Sequence, residues 1–414
     1  MNLAENGDLK RCRAAGIMSG TSLDGVDVML EDIFFRGCGE SGIENMERIA
    51  FATTTYPASL RERLKALSEG RLSSACAGEI AALKRRLAEF YVCCVSEVLE
   101  SAPVDPATID ILGSHGQTVY HSPGEKVLSL QLDEAAILAE RTGIKTVSNF
   151  RQRDIAAGGE GAPLVPVVDH LLYTHEDKQR FMVNIGGIAN YTYLPAGADR
   201  NDIRGSDTGP GNMMIDAAVE RLSGGEKKFD RDGQLAAAGE VWPEGIEYLF
   251  RHDFFTRCYP RSTGRSDFGK DLLDDFWQKA ISSDLAGEDI IATLTEFTVH
   301  SICRALRREL KSSSAELCED VEIIISGGGG SNDELMRRLE KRAAEDISED
   351  VRIINLTSPQ KKLPPDIPAL SGGEKEAAAF GILAWLTDQR LPGNVPSITG
   401  AKREVVLGDI TPSY

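Results

Sequence analysis

With 414 residues, 42% hydrophobic and 27% charged, the chain has the composition of a soluble globular protein and is long enough for two domains. Its net charge of −18 argues against nucleic acid or an anionic membrane surface as partner, because both call for excess Lys and Arg. Its eight cysteines are scattered, with no C-x-x-C pair and no zinc-like spacing, and no apolar run nears the ~18 residues of a membrane span. The N-terminus has no apolar signal core, so the expectation is reduced thiols and a cytoplasmic protein.

In chain order, "AGIMSG" (15–20) and "VDVMLEDI" (26–33) read as strands around the turn "TSLDG", with "RIAFATTTYP" (48–57) as a third. Helical periodicity follows in 58–70 and 76–101. "IDILGSHG" (109–116) is a short apolar strand, 134–143 a helix closed by Gly143, and "KTVSNF" another strand. "PLVPVVDHLLYTH" is a helix with proline in its first turn. Near residue 179 the pattern restarts. "RFMVNIGG" and "IANYTYLP" form a second strand–turn–strand unit, then "SDTGPGN" runs into a helix. Helices over 272–281 and 290–310, the strand "VEIIISGGGG" and helices over 333–345 and 374–389 complete the chain. Two halves with this alternation predict duplicated α/β domains with mixed sheets, and such folds bind ligands at strand carboxyl ends. The predicted division is 1–178 and 179–414, the stretch from about 390 being free to return to the first domain.

Four Gly-rich turns follow strands, at 19–25, 184–190, 207–212 and 326–332. Glycine lets backbone amides approach phosphate oxygens, and a helix N-terminus adds positive potential. Each turn alone is equally a tight turn needing positive φ. Together, with Thr21, Ser22, Thr208 and Asn212 as side-chain donors, they point to a nucleotide cleft. No P-loop or dinucleotide fingerprint occurs. "FDRDGQ" (229–234) reads as a polar turn, because Val241 stands where a calcium loop needs glutamate. His115 in "SHGQT" reads as a structural histidine, with Gln117 and Thr118 facing whatever cleft the strand borders. "NFRQRDIAAGGEGAP" (149–163) reads as a strand-end loop fitted around a ligand, on its glycine density. Asp207, before "TGPGN", is on sequence grounds either a helix N-cap or a functional carboxylate.

Collinearly, "GIMSGTSLDGVDV", "GSHGQTV", "FRQRDIAAGGEGAPLVP", "NIGGIAN", "DTGPGNMMIDA", "FDRDG", "STGR" and "GAKREVVLG" resemble the anhydro-N-acetylmuramic acid kinases, of the sugar kinase/heat-shock ATPase/actin superfamily. The resemblance runs from about residue 15 to the C-terminus. It implies two ribonuclease-H-like domains with mixed sheets around an interdomain cleft that closes on ATP and Mg²⁺. Gly20, Thr21, Ser22, Leu23, Asp24, Gly25, Val26 and Asp27 would then form the first phosphate turn, with Asp24 near the metal through water. Thr208, Gly209, Gly211 and Asn212 would form the second, and Gly327, Gly328 and Gly329 would lie by the adenosine. The resemblance makes Asp207 the general base, and puts Gln117, Thr118, Arg151, Arg153, Asp154 and Glu376 at the sugar. Four residues, "LSGG", stand inserted before the helix carrying Glu376.

The implied reaction hydrolytically opens 1,6-anhydro-N-acetylmuramic acid and phosphorylates O6, yielding N-acetylmuramic acid 6-phosphate and ADP in peptidoglycan recycling. The alternatives are a levoglucosan or other anhydro-sugar kinase of the same fold, and a non-enzymatic actin-like ATP-binding module. The sequence leaves the oligomeric state open, a homodimer included.

Overall fold

The computed structural model describes residues 8–21, 23–36, 42–71, 77–122, 127–312, 320–357 and 363–414. Ser22 and the cysteines Cys38, Cys76 and Cys318 lie outside them. The chain forms two compact units, Met1–Leu172 with Gly373–Tyr414, and Tyr173–Gly372.

The first unit holds β1 (Leu9–Met18), β2 (Gly25–Arg36), β3 (Ile43–Thr55), β4 (Ile111–Ser114), β5 (Gln117–Ser122), β6 (Leu128–Leu132) and β7 (Thr146–Ser148). The second holds β8 (Gln179–Ile185), β9 (Ile188–Leu194), β10 (Arg204–Pro210), β11 (Val321–Ser326) and β12 (Arg352–Asn355), and the chain returns to the first for β13 (Asp409–Thr411). The first sheet has the order β13-β7-β4-β1-β2-β3, with β1, β2 and β3 antiparallel and β1, β4 and β7 parallel. The second repeats it as β10-β9-β8-β11-β12, again an antiparallel meander extended by parallel strands. This shared order is the ribonuclease-H-like arrangement, present twice. A separate hairpin pairs β5 with β6.

The expected boundary at 178/179 falls instead at 172/173. Tyr173 is fully buried, and its carbonyl accepts a 2.9 Å hydrogen bond from Arg180 Nη1 on β8. The return comes at 373 rather than about 390, because the helix Gly372–Asp388 packs on the first sheet. That helix is apolar almost all round, a pattern that requires burial on every side. It can lie flat on the sheet only where side chains are missing. A Cβ on Gly16 of β1 would stand 1.9 Å from the Ala377 carbonyl oxygen, and one on Gly113 of β4 would stand 1.9 Å from that of Phe380. Beneath the same helix Glu31 of β2 is fully buried, with neither carboxylate oxygen hydrogen-bonded among the described residues.

The second unit's core packs Phe181, Val183 and Ile185 of β8 with Tyr191 and Tyr193 of β9 and the buried face of the helix Gly287–Ser312. Asp230 in "FDRDGQ" accepts from the amides of Leu235 and Ala236, both at 2.9 Å, so this turn starts the short helix Gln234–Ala238. One expectation fails in form. The stretch read as a ligand-fitted loop from 149 begins with a helix, Phe150–Ala156, and only its Gly-rich second half is a loop. Among the described residues no helix is long and apolar enough to cross a membrane.

Candidate active site

In the second unit three Gly-rich turns meet at one point, the turn after β8. The amides of Gly211 and Met213 donate to the Gly187 carbonyl at 2.9 and 3.2 Å, and that of Asn212 to Gly186 at 2.8 Å. The third turn closes from the other side, where Gly327 has φ +84°. A Cβ there would sit 2.5 Å from Asn184 Oδ1 and 2.7 Å from the Ile185 carbonyl, so only glycine fits. The Asn212 amide group reaches the same Ile185 carbonyl at 3.4 Å. The helix Met213–Leu222 starts at this junction, and Asn212 makes no side-chain cap. Its positive end is therefore available to an anion. Gly211, Asn212, Gly327 and Gly329, scattered over more than a hundred residues, thus surround Ile185–Gly187, with Gly328 beside Asn212 and with Thr208 and Gly209 against Ala189 of β9.

Asp207 lies within β10, six positions before the first helical residue, so it is not the N-cap that its sequence context allowed. The strand is irregular here. Asp207 pairs with Asn190 and Gly209 with Ala189, leaving Thr208 as a bulge. Such bulges re-aim side chains and gather near functional sites. The buried Thr208 hydroxyl donates to the Ala189 carbonyl at 3.1 Å, which pins the bulge. On its other side β10 meets residues 261–263. The Asp207 amide donates to the Arg261 carbonyl at 3.0 Å, and the Thr263 amide donates to Asp207 Oδ2 at 2.7 Å. Burial pushes the Asp207 carboxyl up to about 6, against the opposing pull of the Thr263 amide and the Arg261 charge. A carboxylate poised there suits a general base near neutral pH.

In the first unit the turn between β1 and β2 is tight. Leu23 is left-handed at φ +58°, with a buried side chain and an amide donating to the Gly20 carbonyl at 3.3 Å. A non-glycine residue held there costs ~1–3 kcal/mol and persists only where its surroundings demand it. Asp24 at the tip is largely exposed, 3.6 Å from Arg61 Nη2. Among the described residues no three His, Cys, Asp or Glu side chains gather as a metal cluster. At the base of the turn Asp27 accepts from the Thr53 hydroxyl at 2.6 Å, and burial raises its pKa. Glu376, in the second turn of its helix despite the LSGG insertion, is raised too, first by burial and then by the Asp27 charge. Two carboxyl groups therefore share this spot.

The remaining expected sugar contacts have clear partners within the unit. The buried Gln117 amide group accepts from the Tyr56 hydroxyl at 2.9 Å and donates to the Gly20 carbonyl at 3.1 Å, tying β5 to the first turn. Thr118 accepts from Gln131 at 3.4 Å. Arg151 donates to His115 Nε2 through Nε at 3.2 Å and to the Gly161 carbonyl through Nη1 at 2.7 Å. Burial, then the Arg151 charge, holds His115 well below its ordinary pKa, so it is neutral and can accept. Asp154 is fully buried and binds the Gly161 amide, Asn394 and Thr399, each at 2.8 Å, so its carboxylate staples the Gly-rich loop to the C-terminal segment. Arg153 alone of this group is exposed.

Sequence reasoning missed Arg261, Thr263 and the pairing of Asp27 with Glu376. "STGR" marked residues 262–265, but no spacing rule connects them to a carboxylate some fifty positions upstream.

A family model described as anhydro-N-acetylmuramic acid kinase matches residues 12–413. The chain is 36% identical over 403 residues to the anhydro-N-acetylmuramic acid kinase of Caldanaerobacter subterraneus subsp. tengcongensis, covering 96% of each. It is 42% identical over 338 residues to that of Salinibacter ruber, covering 80% of this chain and 82% of the other. Among solved structures, a ROK family glucokinase from Streptomyces griseus in complex with glucose and AMPPNP aligns over 90% of this chain and 99% of that one, at 12% identity and a TM-score of 0.35. The family match spans nearly the full length, and on it the chain belongs to the anhydro-N-acetylmuramic acid kinase family.

Proposed function

We propose that the chain uses ATP to phosphorylate 1,6-anhydro-N-acetylmuramic acid while water opens its anhydro ring, and that Asp207 is the general base. Membership of a kinase family makes ATP and a sugar its substrates. The observation that carries the reading is the Asp207 carboxyl, poised at about 6 on a pinned bulge and leading into a turn of backbone amides.

The chemistry needs one base. The substrate has no free 6-hydroxyl, since O6 is bonded to the anomeric carbon. Asp207 takes a proton from water as the water oxygen bonds to that carbon. The bond from the anomeric carbon to O6 breaks, O6 bonds to the γ-phosphorus, and ADP leaves with the bridging oxygen. The departing oxygen is captured by phosphorus, so no second carboxylic acid is needed to protonate it, unlike in an inverting glycosidase. The amides of Gly211 and Asn212 are spent on the Gly186 and Gly187 carbonyls and fix the turn, so that the positive helix end behind it would hold the phosphates.

Mg²⁺ fits the residues present. It dehydrates reluctantly and is held by one or two carboxylates together with substrate phosphates, not by an all-protein cage. Asp24, exposed at the tip of the first turn, would hold it through water. When bound, the ion neutralises charge on the phosphate oxygens. Arg153, exposed beside the Gly-rich loop, would meet the lactyl carboxylate. Arg151 and Asp154 would shape that loop.

Turnover in ¹⁸O water tests the scheme. The label is expected on the anomeric oxygen of the product and absent from its phosphate. Label on phosphorus would mean plain ATP hydrolysis and sink the proposal.

A further inference from the structure

Arg261 is a buried cation, 7% exposed, that no carboxylate pairs with among the described residues. Three aromatic rings enclose the guanidinium, whose carbon lies 4.1 Å from the centre of Phe254, 4.3 Å from Tyr259 and 5.3 Å from Phe255. Nη1 donates to the Phe254 carbonyl at 3.0 Å, and Nε is buried with no partner among the described residues. Aromatic faces are the main compensation for burying this charge, and a weakly hydrated planar guanidinium suits them better than an ammonium.

The same residue borders β10 through its backbone. Its carbonyl accepts from the Asp207 amide at 3.0 Å, and its own amide donates to the Ser206 hydroxyl at 3.0 Å. The segment therefore runs along the open edge of β10, where β9 lies only on the other side. Two residues on, the Thr263 amide binds Asp207 Oδ2, while the Thr263 hydroxyl donates to Asp267 at 2.7 Å. Asp267 is in turn paired with Arg257.

We propose that Arg261 is a positioning residue for the base: its carbonyl and amide hold the bulged strand at Asp207 and Ser206, it sets the Thr263 amide on the carboxylate, and its buried charge lends that amide support. This rests on the assignment of Asp207 as general base.

The groups around the pair are few. From the helix Gly287–Ser312, Arg304 and Arg308 add positive charge, and the Arg308 guanidinium lies 3.8 Å from the Tyr259 ring centre. From β9, Tyr191 donates to Glu309 at 2.6 Å, and that carboxylate is also held by Arg204 at 3.1 Å. Asp267 is committed to Arg257 and Thr263. The Asp207 carboxyl is pushed upward by burial, and the Thr263 amide and Arg261 oppose that push. Removing the Arg261 charge weakens the opposition, so Asp207 would hold its proton to higher pH.

The test is the pH profile of kcat/KM for wild type, Arg261→Gln, Arg261→Lys and Arg304→Glu, with urea midpoints and ATP affinity measured alongside. In Arg261→Gln the acid limb should move up by at least half a unit, about a threefold loss below the limb, with activity recovered at high pH. Arg261→Lys should keep most of the wild-type limb. Arg304→Glu changes an exposed position outside the site and partly offsets the Arg261 field, so a smaller shift in the same direction is expected. It decides the matter even if the buried variants fail to fold. A limb that stays fixed while the rate falls equally at every pH means Arg261 only holds the loop, and overturns the inference. Asp207→Asn separates the two claims. If that variant keeps both activity and the acid limb, the general-base assignment fails instead.

Discussion

At Asp207 burial favours the protonated acid, while one backbone amide and one buried cation favour the carboxylate, and the balance falls near neutrality. Two outcomes follow for turnover. Because the base must be unprotonated, kcat/KM should fall as pH drops through about 6, the value at which this carboxyl is poised. Asp207→Asn keeps the shape and loses the proton acceptor, so kcat should drop ~10²–10⁴-fold, with ATP affinity by calorimetry within a few-fold of wild type. A variant keeping more than about a tenth of kcat would remove Asp207 from the role, since so small a loss is below what a missing base costs. The two arginines of the loop should separate. Arg151 is spent on His115 and the Gly161 carbonyl, so Arg151→Ala should hurt anhydro-N-acetylmuramic acid and levoglucosan alike. Arg153 is exposed, and a solvated ion pair contributes ~0–1 kcal/mol, so Arg153→Ala should cost only the lactyl-bearing sugar, by up to about fivefold in kcat/KM. Equal losses for both sugars in Arg153→Ala would rule out a lactyl contact. At this scale the sequence was partly legible. It marked Asp207 by its place before a Gly turn, but a short polar turn running into "MMIDAAVERL" leaves the exact first helical residue open, so the N-cap alternative stood until the structure put the helix start at Met213. The pairing of Asp207 with Arg261 and Thr263 was invisible because a hydrogen bond carries no signature in sequence distance.

The elements show a second kind of legibility. Strand–Gly turn–strand openings at β1–β2 and β8–β9 disclosed a repeated unit, because period-two apolar runs broken by glycine have few other readings. What the pattern could not show is how the helix Gly372–Asp388 meets its sheet. Gly16 and Gly113 read as ordinary strand residues, yet each faces a helix carbonyl that an added methyl would overlap. Gly113→Ala should therefore cost at least the ~1–3 kcal/mol of overpacking, seen as a lower urea midpoint at unchanged slope. An unchanged midpoint would mean that the helix does not rest on this strand. The helix Phe150–Ala156 was hidden for the opposite reason. Seven residues are too few for a periodic signal, and the glycines at 158, 159 and 161 gave the whole stretch the look of a loop.

For the molecule as a whole, the two-unit order was legible while the route of the chain was not, since contact between residues near 16 and near 377 leaves no trace in local pattern. The buried Glu31 carries a consequence for global stability. Burial without a hydrogen-bond partner raises its pKa well above the ordinary value, so the folded state holds it neutral. Its contribution is fully present below the unfolded value of about 4.3 and is lost as pH climbs towards the folded value. Glu31→Gln should thus gain stability over wild type at pH 8, and the gain should shrink towards pH 5. Urea midpoints across that range check this, and a constant difference would mean that Glu31 is charged and paired in the folded state. The late return of the chain has a further consequence, for synthesis. The strands with bare glycine faces leave the ribosome early, whereas the helix that covers them begins about 260 residues after the second of them ends (Ser114 to Gly372). At ~5–20 residues per second, that apolar slot stands open for roughly 13–52 seconds on every nascent chain. The second unit is contiguous and can close first, so the part made first is the part finished last, and during that interval a holding chaperone has its natural target.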